Sequence, residues 1–163
     1  MNENKKTKQD DADNLKAEDE KQYVTFLVGD ESYGVSVMKV QSINEMTEIT
    51  YVPQARSFIR GVINLRGSVI PVIDMRKKFS LPPKDADSFT VILIVEVQER
   101  LIGMIADSVS DVVNIPASDI HDQINYSARV DTKSIEGIGR IGDNLIVLLD
   151  VDTFLSGESL FEG

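Results

Sequence analysis

Two stretches of this chain repeat, and that self-similarity constrains the fold more than any other feature. Residues 61–79 (GVINLRGSVIPVIDMRKKF) lie over residues 137–155 (GIGRIGDNLIVLLDVDTFL) without a gap, each reading strand, turn, strand and then an Asp ahead of a short helix. Residues 33–43 (YGVSVMKVQSI) lie over residues 102–112 (IGMIADSVSDV), sharing a Gly after the first apolar residue and a Val seven positions on. In both halves a hairpin comes first and a hairpin-plus-helix second, which points to two similar units built to one plan.

Local signals give those units their class. From Tyr23 onward the apolar period is mostly two, the period of half-buried strands. Four hairpins are expected: residues 23–28 with 33–37, 61–65 with 69–73, 89–97 with 101–106, and 135–141 with 145–149. Each pair flanks a short run of turn-forming residues such as Arg66-Gly67-Ser68 or Gly142-Asp143-Asn144. Helices are brief: Asp74 caps residues 75–79, Asp150 caps residues 151–155, and residues 38–42 suit one helical turn or two. About five short strands per half favour two small, nearly closed barrels over one open sheet with long exposed edges. The expected fold is therefore all-β with short helices, in two similar five-stranded barrel subdomains. The first spans roughly residues 23–84 and the second roughly 85–155, with strands free to interleave and residues 156–163 as a C-terminal tail. Where two such barrels abut, the junction is a natural groove for a partner.

Composition serves mainly to exclude. Residues 1–22 hold five Lys and seven acidic residues, and Leu15 is their only large aliphatic side chain after the initiator. Such a segment cannot offset its ordering entropy by burial and is expected to be disordered. The absence of Cys removes disulfides, thiolate catalysis and Cys-based zinc sites. A net charge of -10 repels phosphate backbones and anionic lipid, so neither nucleic acid nor a membrane surface is an expected partner. With no signal-peptide stretch and no run near the roughly 20 apolar residues that span a bilayer, a cytoplasmic location without membrane insertion is expected.

The familiar chemical motifs are incomplete. His121 is the only histidine, and its setting SDIHDQ supplies no partners for a triad or a metal. Residues 137–142 satisfy G-x-G-x-x-G but run into a strand, whereas a dinucleotide site needs a helix there to receive the pyrophosphate. Asp10, Asp11 and Asp13, and Asp150 with Asp152, lack the spacing of a calcium loop. Asn125-Tyr126-Ser127 fits a glycosylation sequon, which matters only on secretion. No catalytic residue, cofactor or metal is expected.

Residues 60–79 join a strongly apolar hairpin to one guanidinium at its tip, Arg66, which is either a solvated turn residue or a forked donor for a carboxylate. Val37, Val40 and Ile43 recur every three residues, so they can share a face whose destination is core or interaction groove. The hairpin segment resembles the CheW family of bacterial chemotaxis coupling proteins, which carries G-V-x-N-L-R-G followed by V/I-x-P-V/I-x-D-L/M-R at this place. Residues 26–35, 39–43, 102–112 and 137–139 match further family segments in order, so the resemblance covers nearly all of residues 23–155. It implies a CheW-like fold of two five-stranded SH3-like barrels. It also implies a non-enzymatic scaffold that docks to the cytoplasmic tip of methyl-accepting chemotaxis receptors and to the regulatory domain of the histidine kinase CheA. On this resemblance the protein is monomeric alone and becomes part of a receptor-kinase array at the membrane. Carried over by position, the receptor-binding groove comprises Val24, Val37, Val40, Ile43 and Val109, and the kinase-binding hub hairpin Gly61, Asn64, Leu65 and Arg66. One departure stands out: many relatives have Glu where this chain has Ser42, so Arg66 needs another partner, with Glu45 and Glu48 near it in sequence. A polyproline-binding SH3-like module is disfavoured, because the chain has no Trp and only four Tyr to line an aromatic groove.

Overall fold

The computed structural model describes residues 20–122 and 129–155. In chain order the strands are β1 (Glu20–Val28), β2 (Glu31–Ser36), β3 (Val40–Glu45), β4 (Ile59–Leu65), β5 (Ser68–Asp74), β6 (Val91–Val97), β7 (Arg100–Ala106), β8 (Ser108–Pro116), β9 (Ile120–His121), β10 (Ile135–Ile141) and β11 (Asn144–Leu149). Two short helices, α1 (Met75–Lys78) and α2 (Val151–Phe154), follow β5 and β11. The fold class is the expected one, and all four hairpins form with two-residue turns. Both residues of Arg66-Gly67 and of Gln98-Glu99 have positive φ, the geometry whose twist matches that of the flanking strands. Asp74 accepts from the Lys77 N–H at 3.2 Å and Asp150 from the Thr153 N–H at 3.3 Å, so both expected helix caps are in place.

Two local expectations need correction. Glu20, Lys21 and Gln22, assigned above to the tail, are strand, because their backbone pairs with Pro116, Ile115 and Asn114 of β8. Such a partner is invisible to local composition; residues 1–19 and 156–163 lie outside the described residues. Residues 38–42 do not continue as helix. A single 3-10 turn over Val37–Lys39 gives way to β3, where the β-branched Val40 and Ile43 suit the pleat and pair with Val95 and Leu93.

The strands form two sheets, ordered β8-β1-β2-β11-β10-β9 and β3-β6-β7-β5-β4. The halves therefore exchange hairpins: β1–β2 leaves the first half to join β8–β11, and β6–β7 joins β3–β5. A boundary near residue 84 separates the sequence repeats, but each sheet draws strands from both sides of it. Two parallel joins make the exchange, Leu148 opposite Gly34 and Val72 opposite Gly103, and the repeat alignment lays each residue of one join over its counterpart in the other. The shared glycine is a socket. A Cβ on Gly34 would come to 2.9 Å from the Leu148 side chain, and one on Gly103 to 3.3 Å from that of Val72. The sixth strand of the larger sheet, β9, is only two residues long, and the isolated bridge between Thr50 and Val62 occupies the matching place beside β4.

Hydrophobic residues form one large core between the sheets and a smaller cluster on the far side of each. On β6, Leu93 and Val95 face the shared core while Ile92 and Ile94 face the small cluster, and on β11 Val147 and Leu148 divide in the same way. Burial on both faces explains why these strands read as unbroken apolar runs, ILIV and LIVLL. Stacked Phe26, Tyr33 and Phe79 bind β1, β2 and the end of α1 into the shared core, with ring centroids 5.9 and 5.1 Å apart.

Candidate interaction surfaces

The outermost strands β3 and β8 carry the first candidate surface. Across β3 and β6, Val40 faces Val95 and Ile43 faces Leu93; across β8 and β1, Val109 faces Phe26 and Val112 faces Val24. Directly opposed side chains share a face of a sheet. All four inner partners belong to the shared core, so the outer four stand where that core meets solvent. Val40 is half-buried, whereas Ile43, Val109 and Val112 are 41%, 37% and 51% exposed.

The five groove residues expected from the sequence therefore divide. Val24 is core, only 3% exposed, and forms the floor beneath the rim. Val37 and Val40 are half-buried against the shared core, and Ile43 and Val109 are exposed. Strand β1 pairs with β8 and touches the 3-10 turn that carries Val37, so Val24 links the two sides. Core and rim are thus consecutive layers of one apolar surface. Val112 was not among the expected residues although it is the most exposed of the rim. The signal that finds it is the repeat, since residues 33–43 over 102–112 set Val112 on Ile43 and Val109 on Val40. Exposed β-branched residues on unpaired edge strands are a feature that soluble proteins suppress unless the edge serves an interaction.

The second candidate surface is the β4–β5 hairpin. Gly61 is required by close approach, because a Cβ there would land on the carbonyl of Thr50, whose N–H and C=O bond Val62 at 2.8 Å each. The Asn64 carboxamide oxygen accepts from the Gly67 N–H at 3.0 Å and so closes the turn from within. Leu65 packs on the small cluster of Ile63, Ile70 and Val72, which anchors the hairpin from beneath. With its base fixed in this way, the hairpin holds Arg66 and Val69 out in solvent, Val69 being 68% exposed. Arg66 forms no ion pair among the described residues. Ser42 instead accepts from the Asn44 side-chain amide at 2.8 Å, and Glu45 and Glu48 are exposed without reaching Arg66. Of the two readings left open by sequence, the turn cation in solvent is the one observed.

An ion-pair network braces the fold near the β1–β2 turn. Arg76 of α1 holds Asp107 at 2.7 Å, and Asp107 also accepts from the Gly29 N–H at 2.9 Å. Burial works against the Asp107 charge, but the guanidinium and the Gly29 amide outweigh it and hold the carboxyl below the usual range. His121 is exposed on β9, and residues 137–142 run along β10 into a turn that leads to a strand, as read from the sequence. Among the described residues no group of His, Cys, Asp and Glu is arranged to hold a metal ion. The sequon at 125–127 lies outside the described residues.

Known proteins resemble this chain over most of its length. The family model described as the CheW-like domain matches residues 22–159. The chemotaxis protein CheW of Klebsiella aerogenes is 32% identical over 139 residues, covering 85% of this chain and 84% of that protein. The chemotaxis protein CheW of Bacillus subtilis is 35% identical over 136 residues, covering 83% and 87%. Among solved structures, the scaffolding protein TtCheW from Thermoanaerobacter tengcongensis superposes with a TM-score of 0.79 at 31% identity, over 87% of this chain and 99% of that one.

Proposed function

The chain belongs to the CheW family of chemotaxis coupling adaptors, and from that premise we propose that its edge-strand groove receives the cytoplasmic tip of chemoreceptors while its β4–β5 hairpin engages the regulatory domain of the kinase CheA. The observation that carries this reading is the rim itself. Val40, Ile43, Val109 and Val112 extend the shared core outward on two edge strands, leaving apolar surface for a partner to cover. The hairpin complements it with a turn held by Asn64 and a guanidinium directed to solvent, the forked donor suited to a partner's carboxylate.

An adaptor of this kind performs no chemistry of its own. It transmits signal only as far as its contacts differ between kinase-on and kinase-off arrangements, typically about 1–3 kcal/mol for coupling between sites. It is a monomer alone and works in the cytoplasm, recruited to receptor clusters through its partners; no helix among the described residues is long and apolar enough to cross a membrane. Titration of the chain with a receptor cytoplasmic fragment and, separately, with a CheA regulatory domain tests the assignment. Val112→Asp should weaken only the first titration and Arg66→Ala only the second, and a variant that leaves its own titration unchanged removes that residue from the site.

A further inference from the structure

The repeat produces two equivalent clefts, and among the described residues only one of them is filled. The first lies between α1 and β7, walled by Arg60, Asp74, Arg76 and Asp107, and the linker from α1 to β6 crosses it with Lys84, Asp85 and Ala86. The linker leaves a space of about 30 Å³. It is tied to the wall by Arg76, which donates to the Pro82 carbonyl at 2.8 Å and accepts the Leu81 N–H at its own carbonyl, also at 2.8 Å. The second lies between α2, the start of β1 and the Val37–Lys39 turn, and its volume is about 640 Å³. The alignment sets Arg60 on Glu136, Asp74 on Asp150 and Arg76 on Asp152, all lining their respective clefts.

The open cleft thus keeps one wall carboxylate, Asp150 in place of Asp74, and exchanges both wall arginines. Both wall arginines become carboxylates, so the donor that grips a carbonyl of the linker is replaced by an acceptor. The walls carry Glu20, Glu136, Asp150 and Asp152 against Lys21 and Lys39. Those lysines pair with Glu136 and Asp152 at 3.4 and 2.8 Å, but both pairs are solvent-exposed, and such pairs exchange partners at little cost. Beneath the charges the lining is apolar: Val37, Leu149 and Val151, with Met38 87% exposed at the rim. The cleft meets the receptor groove only at Val37.

We propose that this cleft binds a short, extended, basic segment of a partner protein, one apolar side chain entering between Val37 and Val151 and flanking lysine or arginine side chains meeting Glu136 and Asp152. The filled cleft supplies the precedent for an extended segment at this place, and the carboxylates that stand in place of Arg60 and Arg76 specify the sign. Where the linker offers Arg76 the Pro82 carbonyl, the occupant offers a donor to Asp152.

The test titrates the amidated peptide acetyl-Ala-Lys-Leu-Lys-Ala into the isotope-labelled full chain, with the peptide in which Glu replaces both Lys as control, following backbone amide shifts. The lysine peptide should move Val37, Met38, Glu136 and Val151, and the glutamate peptide should leave them in place. Asp152→Arg, which installs the residue found at the equivalent wall, should weaken binding at least fivefold, and the milder Asp152→Asn should weaken it less at an unchanged melting temperature. The proposal is overturned if those amides do not move, if both peptides move them equally, or if Asp152→Arg and Asp152→Asn both bind like the parent. Binding that appears only after residues 1–19 are removed would also overturn it, by making the chain's own N-terminal segment the occupant.

Discussion

Val24 and Val112 face each other across β1 and β8, yet one is 3% and the other 51% exposed, so the same substitution should have opposite consequences at the two. Val24→Asp places an unpaired charge in the shared core at a cost of several kcal/mol, comparable to the whole stability of an ordinary domain, and circular dichroism should find it unfolded or aggregated. Val112→Asp leaves its charge hydrated, so melting should shift by no more than about 0.5 kcal/mol equivalent while receptor-fragment affinity falls. At the hairpin, Arg66→Ala should be similarly silent in melting but weaken the kinase titration, whereas Asn64→Ala loses the bond to the Gly67 N–H and should cost about 1 kcal/mol. A thermal melt of each variant beside its titration separates the two kinds of effect. The place of Arg66 at a turn was legible in the sequence because a turn motif is local. The fates of Val24 and Val112 were not, because burial at the end of a sheet depends on which strand lies beyond, and no window of sequence contains that strand.

At the level of elements, hairpins and caps could be read ahead of the structure because each is decided within a few residues: a turn with the right backbone freedom, an Asp just before a helix. The sheet order could not, since β2 meets β11 and β7 meets β5 through parallel joins whose partners are distant in the chain. The repeat nevertheless held the clue in its shared glycine, the socket for Leu148 in one join and Val72 in the other. The brace between α1 and the β1–β2 turn has a testable pH dependence. Asp107 has a folded pKa below its unfolded value of about 3.9, so its contribution is fully present above that value and is lost as pH falls through the lower, folded one. Denaturant midpoints should therefore decline as pH drops below about 4. Asp107→Asn should flatten that decline and be less stable at neutral pH by roughly 1.5–3 kcal/mol, the range for hydrogen bonds to charged groups.

For the molecule as a whole, the exchange of hairpins means that neither repeat owns a complete sheet. Residues 1–84 and 85–163, produced separately, should each lack cooperative unfolding, because β1–β2 would be without β8 and β11, and β6–β7 without β3 and β5. Mixed, they should recover the spectrum and melting of the intact chain, as size-exclusion and calorimetry would register; a half that folds alone would contradict the sheet assignment. The linker across the filled cleft is the only covalent thread between the repeats. Its counterpart would run from the end of α2 back to the start of β1, and Asp152 and Glu20 line one cleft already. The backbone is in effect a ring cut once, with two nearly equivalent places to make the cut. A circularly permuted chain, closed from Leu155 to Glu20 by a linker of similar length and opened near Lys84, should reach the same fold, with its new termini at the first cleft and the second one bridged.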